Sequence, residues 1–184
     1  IEWARGQMDA LKASTSKLIA NDAMELSLLI SANYDLDTIE EPIQLFARGD
    51  LLLFQNKDSL AFITFDSIRT SFPNHTLNDK ILMRKALISE KNFDYALAAS
   101  IYDTLMKNFS YSTSADDAMY NLAVLYETKL NNTDKAQELY KQILLDHPGS
   151  IFVADARNRY RNLRGDYQEK EEITPYESQF FNNP

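Results

Sequence analysis

The sequence predicts an all-α fold, a solenoid built of antiparallel helix pairs, and two observations support this prediction. The 184-residue chain is 45% apolar and contains only four glycines and five prolines, a composition typical of an ordered, helix-rich protein. It also contains an internal repeat with a period of 37 or 38 residues. Such periods are typical of helical repeat proteins, in which each helix pair buries its apolar face against the next pair.

Aromatic and small residues mark the period. The aromatic spacing is 37 residues from Phe65 to Tyr102 and 38 residues from Tyr102 to Tyr140. An alanine precedes each aromatic by four residues, and a second small residue recurs further upstream. The alanines are Ala61, Ala98 and Ala136, and the upstream small residues are Gly49, Ala86 and Ala123. Because residues four apart share a helix face, each alanine lets a neighbouring helix approach while the aromatic fills the space beside it.

The repeat places three helix pairs in order along the chain. The predicted ranges are 43–56 with 58–72, 78–91 with 94–109, and 115–129 with 134–146. Pro73 and Pro148 end the first and third pairs, because proline cannot continue a helix. A further helix would cover the end of the array. It should run from Ser150, as its N-cap, to about Leu163, and Gly165 should end it.

These elements divide the chain into three parts. Residues 1–41 form an N-terminal helical segment, either a degenerate further pair or the end of an upstream domain. Residues 42–165 hold the three repeats and the capping helix, and residues 166–184 form an acidic and aromatic tail. The adjacent Phe180 and Phe181 should either dock on the helices or bind a partner. Because the chain begins at Ile1 without a signal pattern, we expect it to be a piece of a longer protein.

The third repeat carries the clearest motif. Its residues are Tyr120-Asn-Leu-Ala-Val-Leu-Tyr126, Lys135-Ala136, Tyr140, Ile143 and Asp146-His-Pro148. This series resembles the two-helix signature of the tetratricopeptide repeat family. The first repeat resembles it too, while the middle repeat departs from it, with Ser110 in place of the proline and Ser89 in place of an aromatic. The resemblance covers about residues 43–164 and implies a right-handed α-solenoid that binds protein partners without a cofactor.

The segments that join the repeats carry a second resemblance. Residues 72–77 and 147–154 look like the linkers of tetratricopeptide lipoproteins and periplasmic coordinators from bacterial envelopes. This likeness implies a multi-protein assembly in the bacterial periplasm or at the periphery of the outer membrane.

In tetratricopeptide proteins the first helix of each pair lines a concave face that receives a partner segment. Here that face should present Phe46, Asp50 and Leu53 from the first pair, Met83, Leu87 and Glu90 from the second, and Tyr120, Val124 and Glu127 from the third. Aromatic and methionine side chains would anchor the peptide, and Asp50 and Glu127 would favour a neutral or basic ligand. Alternatively, several of these side chains pack between neighbouring helices.

Arginines form the one dense basic feature of the sequence. They are Arg157, Arg159, Arg161 and Arg164. Such a cluster could receive an acidic partner or a phosphate. It could also be a solvated helix face that complements the helix dipole and the acidic stretch 169–172.

Several classes of function are disfavoured. A formal net charge of −8 argues against nucleic-acid binding, and the absence of cysteine excludes disulfides and thiolate chemistry. No apolar run approaches the length of a membrane span. His75 and His147, interpreted as corresponding turn residues, complete no catalytic or metal motif.

We therefore expect a non-catalytic scaffold without a metal or a cofactor. Two alternatives stay open at this point. One is a helical accessory domain of a larger enzyme whose catalytic part lies upstream of residue 1. The other is a spacer with both faces solvated.

Overall fold

A computed structural model describes residues 2–13, 24, 26–28, 31 and 40–166, and these residues contain helices and turns but no strand. The helices are α1 (Glu2–Leu11), α2 (Glu41–Phe54), α3 (Asp58–Ser71), α4 (Asn78–Lys91), α5 (Tyr95–Asn108), α6 (Ser114–Thr128), α7 (Thr133–Asp146) and α8 (Val153–Arg164). From α2 to α7 the predicted bounds agree with these to within two residues. The predicted fold class, an all-α solenoid of helix pairs, is confirmed.

The chain divides into two compact units, Ile1–Ile101 and Tyr102–Pro184, and the division falls inside α5. In the first unit α2 packs on α3 and α3 packs on α4. In the second unit α6 packs on α7 and α7 packs on α8. Each unit has a hydrophobic core of its own. The division of the sequence at 41/42 and 165/166 stays a prediction, since it rests on the repeat pattern.

The small and aromatic residues of the repeat are buried. The three aromatics and the five alanines of the pattern have no solvent exposure. Gly49 shows why a small residue is required: a Cβ on it would lie 2.5 Å from Cε1 of Phe65 on α3. The pattern therefore marks the places where paired helices touch, as predicted.

The turn inside each helix pair contains a residue in the left-handed region. These residues are Asn56 (φ 57°), Phe93 (φ 63°) and Asn131 (φ 49°), and their spacings of 37 and 38 residues repeat the period. Asparagine tolerates this conformation, whereas a bulky residue such as phenylalanine pays a steric cost. Phe93 is the exception among the three, and its side chain is 77% exposed.

The three segments that join the pairs share one hydrogen-bonded turn, centred on His75, Ser112 and Ser150. In each, the central backbone N–H donates to the carbonyl three residues earlier, at 3.1, 2.9 and 2.9 Å. The central side chain accepts a bond from the backbone N–H two residues later. The distances are 3.1 Å to His75 Nδ1, 3.0 Å to Ser112 Oγ and 3.2 Å to Ser150 Oγ.

This geometry corrects two predictions. His75 corresponds to Ser150 and not to His147, although its interpretation as a turn residue is confirmed. Ser150 is not the N-cap of the last helix, which begins only at Val153. Its hydroxyl instead accepts the Phe152 N–H in the turn before α8, and Phe152 holds the N-cap position. At the other end, Gly165 closes α8 in the left-handed region (φ 82°), as predicted.

Candidate protein-binding surface

The first helices of two successive pairs, α2 and α4, enclose a shallow groove in the first unit. Its volume is about 360 Å³. The lining residues are Asp50, Leu53, Arg84, Leu87, Ile88 and Lys91. We call this site the α2–α4 groove. Three residues of the predicted partner-binding face, Asp50, Leu53 and Leu87, therefore lie together.

The charges at the groove are paired with one another. Arg84 Nε donates to Asp50 Oδ1 at 2.9 Å, and both side chains are 32% exposed. Lys91 Nζ donates to Asp58 Oδ1 at 2.9 Å. Because Arg84 neutralises Asp50, this carboxylate does not make the groove acidic, and the predicted preference for a basic ligand does not follow from it. The apolar side chains then dominate the chemistry of the groove.

Phe46 does not belong to the surface. Its side chain is 1% exposed, and its ring centroid lies 5.4 Å from that of Phe65. The prediction of Phe46 as a partner anchor is wrong, because its own side chain packs against Phe65 of α3 in the core of the first unit. Met83 and Glu90 are half-buried on α4 and do not belong to the lining of the α2–α4 groove.

In the second unit the corresponding residues of α6 face helix α8. The ring of Tyr120 stacks on Phe152 at 4.3 Å between centroids, and its hydroxyl donates to Asp155. Glu127 accepts from the Tyr140 hydroxyl at 2.6 Å and from Arg159 Nη1 at 3.0 Å. A further bond of 2.7 Å joins Arg159 Nε to Asp155.

These contacts form one network that shifts the titration of its members. The bonds from Tyr120 and Arg159 lower the pKa of Asp155. Burial, and then the bond to Glu127, raise the pKa of Tyr140. Burial, and then Asp155, raise the pKa of Tyr120. These shifts favour an ionised Asp155 and neutral phenols on Tyr120 and Tyr140. The hydrogen bonds of the network tie α8 to α6 and α7.

The residues predicted from the third pair, Tyr120, Val124 and Glu127, therefore lie together, but they pack within the chain and do not form an open surface. Glu127 is neutralised by Arg159, and half-buried Val124 packs on the core of the second unit. For these residues the alternative of packing between helices is the better description. A sequence signal was present: Asp155 and Arg159 occur at helical spacing on α8, with Phe152 just before that helix, and Tyr120 and Glu127 occur at helical spacing on α6.

The arginines of α8 do not form a single patch. Arg159 faces α6, whereas Arg157 and Arg161 are exposed on another side. Arg164 pairs with Asp166 at 3.2 Å and lies over the ring of Tyr160. The predicted tail residues Phe180 and Phe181 lie outside the described residues.

A second apolar groove, which the sequence analysis missed, lies between α3 and α5 in the first unit. Its volume is about 310 Å³. The lining residues are Ser59, Phe62, Ile63, Ile88, Ser89, Asn92, Asp94 and Leu97. Ile63 is 64% exposed at its edge, and the strained Phe93 lies in the adjoining turn. A sequence pattern cannot separate such residues from core, since both recur at helical spacing.

Two classes of site are not seen in the part of the chain that the structure covers. Within it, no group of three histidine or acidic residues is arranged to hold a metal ion. No helix in those ranges has both the length and the apolar character needed to cross a membrane.

Comparison with known proteins supports the repeat assignment. Residues 117–150 match the tetratricopeptide repeat family model. This range runs from α6 through the α7–α8 turn and contains the motif that the sequence analysis identified. Among curated proteins, none matches the chain significantly.

Solved structures show the same fold. One is a tetratricopeptide repeat protein from Parabacteroides merdae ATCC 43184, with a TM-score of 0.59 and 19% identity over 95% of this chain. The chain spans 64% of that protein, less than two thirds of it. MamA 41-end from Desulfovibrio magneticus RS-1 has a TM-score of 0.51 and 17% identity, covering 92% of this chain and 96% of its own. A MamA RS-1 double mutant has a TM-score of 0.51 and 18% identity, covering 92% of this chain and 97% of its own. At these identities the likeness establishes the fold.

Proposed function

We propose that this chain is a non-catalytic protein-interaction scaffold, and that the α2–α4 groove binds a segment of a partner protein. The observation that carries the proposal is an apolar groove between first helices, with Leu87 41% exposed at its wall and the neighbouring charges already paired. Tetratricopeptide proteins are generally non-catalytic scaffolds, and the family match and the fold support this function.

The groove determines the chemistry of the ligand. Leu53, Leu87 and Ile88 offer an apolar lining for one or two apolar side chains of a bound peptide. Asp50 and Arg84 remain about one third exposed, so they can exchange hydrogen bonds with the peptide backbone without a net charge. We therefore expect a neutral, apolar segment as the ligand.

We further propose that the partner belongs to a multi-protein assembly at a bacterial cell envelope. The support is the resemblance of the repeat-joining segments to those of envelope tetratricopeptide proteins. The alternative function, an accessory domain of an enzyme, requires a catalytic part upstream of residue 1. A catalytic motif encoded upstream of residue 1 would favour an accessory domain, and its absence there would favour the scaffold.

The experiment is affinity purification with the wild-type chain and two matched variants. Leu87→Asp places a charge in the α2–α4 groove, whereas Leu145→Asp places it at a 68% exposed site on α7. We expect Leu87→Asp to weaken binding of the captured partner at least about tenfold, a typical effect at a central apolar contact. Leu145→Asp should bind as the wild type does.

Thermal unfolding of the three proteins completes the test. Since both leucines are exposed, the melting temperatures should agree closely. Equal capture of the same partner by all three folded proteins would contradict a role for the groove. Capture of no partner by the wild type would instead favour a spacer.

A further inference from the structure

Three exposed arginines, Arg157, Arg161 and Arg164, lie along one face of α8, and we call them the arginine stripe. Positions i, i+4 and i+7 share a helix face. Arg159 lies on a different face, where it bonds Glu127. Within the described ranges, the structure gives no ion-pair partner to Arg157 or Arg161.

The chain turns back toward the stripe where α8 ends. Gly165 is left-handed, its N–H donates to Asn162 O at 3.0 Å, and the Asp166 N–H donates to Arg161 O at 3.0 Å. This pair of bonds is the Schellman closure, which reverses the chain at a helix C-terminus. The first carboxylate after the turn, Asp166, already pairs with Arg164 at 3.2 Å.

The charges on the two sides of this turn are opposite and equal. Four arginines against one aspartate give α8 a formal charge of +3. Residues 167–184 carry four glutamates against one lysine, a formal charge of −3. Three of those glutamates, Glu169, Glu171 and Glu172, come within six residues of Asp166.

The length of the intervening chain matches the stripe. From Arg164 back to Arg157 the helix rises about 10 Å, at 1.5 Å per residue. Glu169 to Glu172 lie three to six residues beyond Asp166, a reach of about 10–20 Å for extended chain. This stretch of chain is therefore long enough to bring its glutamates beside Arg161 and Arg157.

We propose that the acidic segment 169–172 docks on the arginine stripe of its own chain. Exposed ion pairs are individually weak, but the tether supplies the segment at an effective concentration of about millimolar. A free acidic peptide or a phosphate must compete with it. The docked segment thus covers the arginine stripe and competes there with acidic partners. This site is independent of the α2–α4 groove.

The full chain offers a direct test because it contains no cysteine. Ile173→Cys provides a single site for a nitroxide label just beyond the acidic segment. If the segment docks, the label approaches the first turns of α8. The backbone amide signals of Ala154 to Arg157 should then lose most of their intensity in NMR spectra recorded at low salt.

Charge variants of the labelled chain separate docking from mere proximity. The pair Arg157→Glu and Arg161→Glu should restore the signals, as should 1 M salt, which screens exposed charges beyond about 3 Å. Adding Glu169→Lys, Glu171→Lys and Glu172→Lys to that pair should abolish the signals again. Signal loss confined to residues 164–166 and unchanged by the charge reversals would overturn the proposal.

A second measurement addresses an external acidic ligand. Poly-glutamate should bind the full chain carrying Glu169→Gln, Glu171→Gln and Glu172→Gln at least about tenfold more tightly than it binds the wild type, because no tethered acidic competitor remains. Equal affinity for the two proteins would show that the stripe is open in the wild type and would also overturn the proposal. Inorganic phosphate, tested in the same way, distinguishes a small anion from an acidic chain.

Discussion

Gly49 lies where α2 approaches α3 too closely for a larger side chain. Its missing side chain leaves room for the Phe65 ring, which is fully buried and cannot swing away. We expect Gly49→Ala to destabilise the protein by about 1–2 kcal/mol. Overpacking costs about 1–3 kcal/mol, and the better helix propensity of alanine returns up to about 1 kcal/mol. Urea unfolding of both proteins measures the difference.

Gly149 supplies the matched control for this substitution. A Cβ there would meet no atom within 4 Å, and its φ is not positive. Gly149→Ala should therefore leave the free energy of unfolding nearly unchanged or raise it slightly. An equal loss in the two variants would mean that contact with Phe65 is not the cause.

Tyr140 makes the stability of the second unit sensitive to alkaline pH. Burial and the bond to Glu127 raise the pKa of its phenol above the ordinary value of 10.0. Above about pH 10 the unfolded chain releases this proton while the folded chain keeps it, so the free energy of unfolding falls as the pH rises. We expect Tyr140→Phe to show a shallower decline between pH 9 and pH 11.

Urea titrations at several pH values measure that slope. Tyr111 is fully exposed, so Tyr111→Phe should keep the slope of the wild type. Identical slopes for all three proteins would contradict the assignment to Tyr140.

The repeat-joining turns form an element that the family motif does not describe. A histidine nitrogen and two serine hydroxyls accept the same backbone bond at 3.0–3.2 Å. The position depends on an acceptor and not on one residue type, which explains how His75 takes the place of serine. The turn fixes how the chain enters the next first helix.

A pair of substitutions at Ser150 tests this element. Ser150→Ala removes the acceptor of the Phe152 N–H and should cost about 0.5–1.5 kcal/mol, the usual net contribution of one hydrogen bond. Ser150→Thr keeps the hydroxyl and should retain most of that stability. Thermal unfolding followed by circular dichroism compares them, and equal losses in both would argue against the hydrogen bond.

Helix bounds were predictable from sequence because small residues, aromatics and prolines act locally. Pro73 and Pro148 end helices, and Ala61 and Phe65 share a face through helix geometry alone. The partner surface was less predictable, because it depends on which face a neighbouring helix covers. Phe46 and Leu53 lie on the same helix, yet one is core and the other lines a groove.

The partners of the ion pairs could not be predicted from the sequence either. Asp50 and Arg84 are 34 residues apart, and Glu127 and Arg159 are 32 apart. Each ion pair forms because stacking of the helices brings α2 close to α4, and α6 close to α8. A periodic pattern predicts that the helices stack but not which long side chains meet across them. The face that was expected to be acidic therefore carries Asp50 and Glu127 in ion pairs without net charge.

Each of the two compact units contains a hydrophobic core among the described residues. The core of the first unit is built on Phe65 and Ile68, and that of the second on Ala136 and Tyr140, with no buried residue in common. In repeat proteins the stability is approximately a sum over units and their nearest-neighbour contacts. Local opening can then proceed in one unit while the other stays folded.

Ala136→Leu tests this independence. The added side chain overpacks the α6–α7 contact and should cost about 1–3 kcal/mol, whereas Ala154→Leu, at an exposed site on α8, should cost little. Native-state hydrogen exchange should show lower opening free energies for the amides of α6 and α7. Those of α3 should change by less than about 0.5 kcal/mol, as for distant sites. Gly49→Ala should give the reverse pattern. If both variants lowered the protection of α3 and α7 alike, the chain would open as one cooperative body, and the two cores would not be energetically separate.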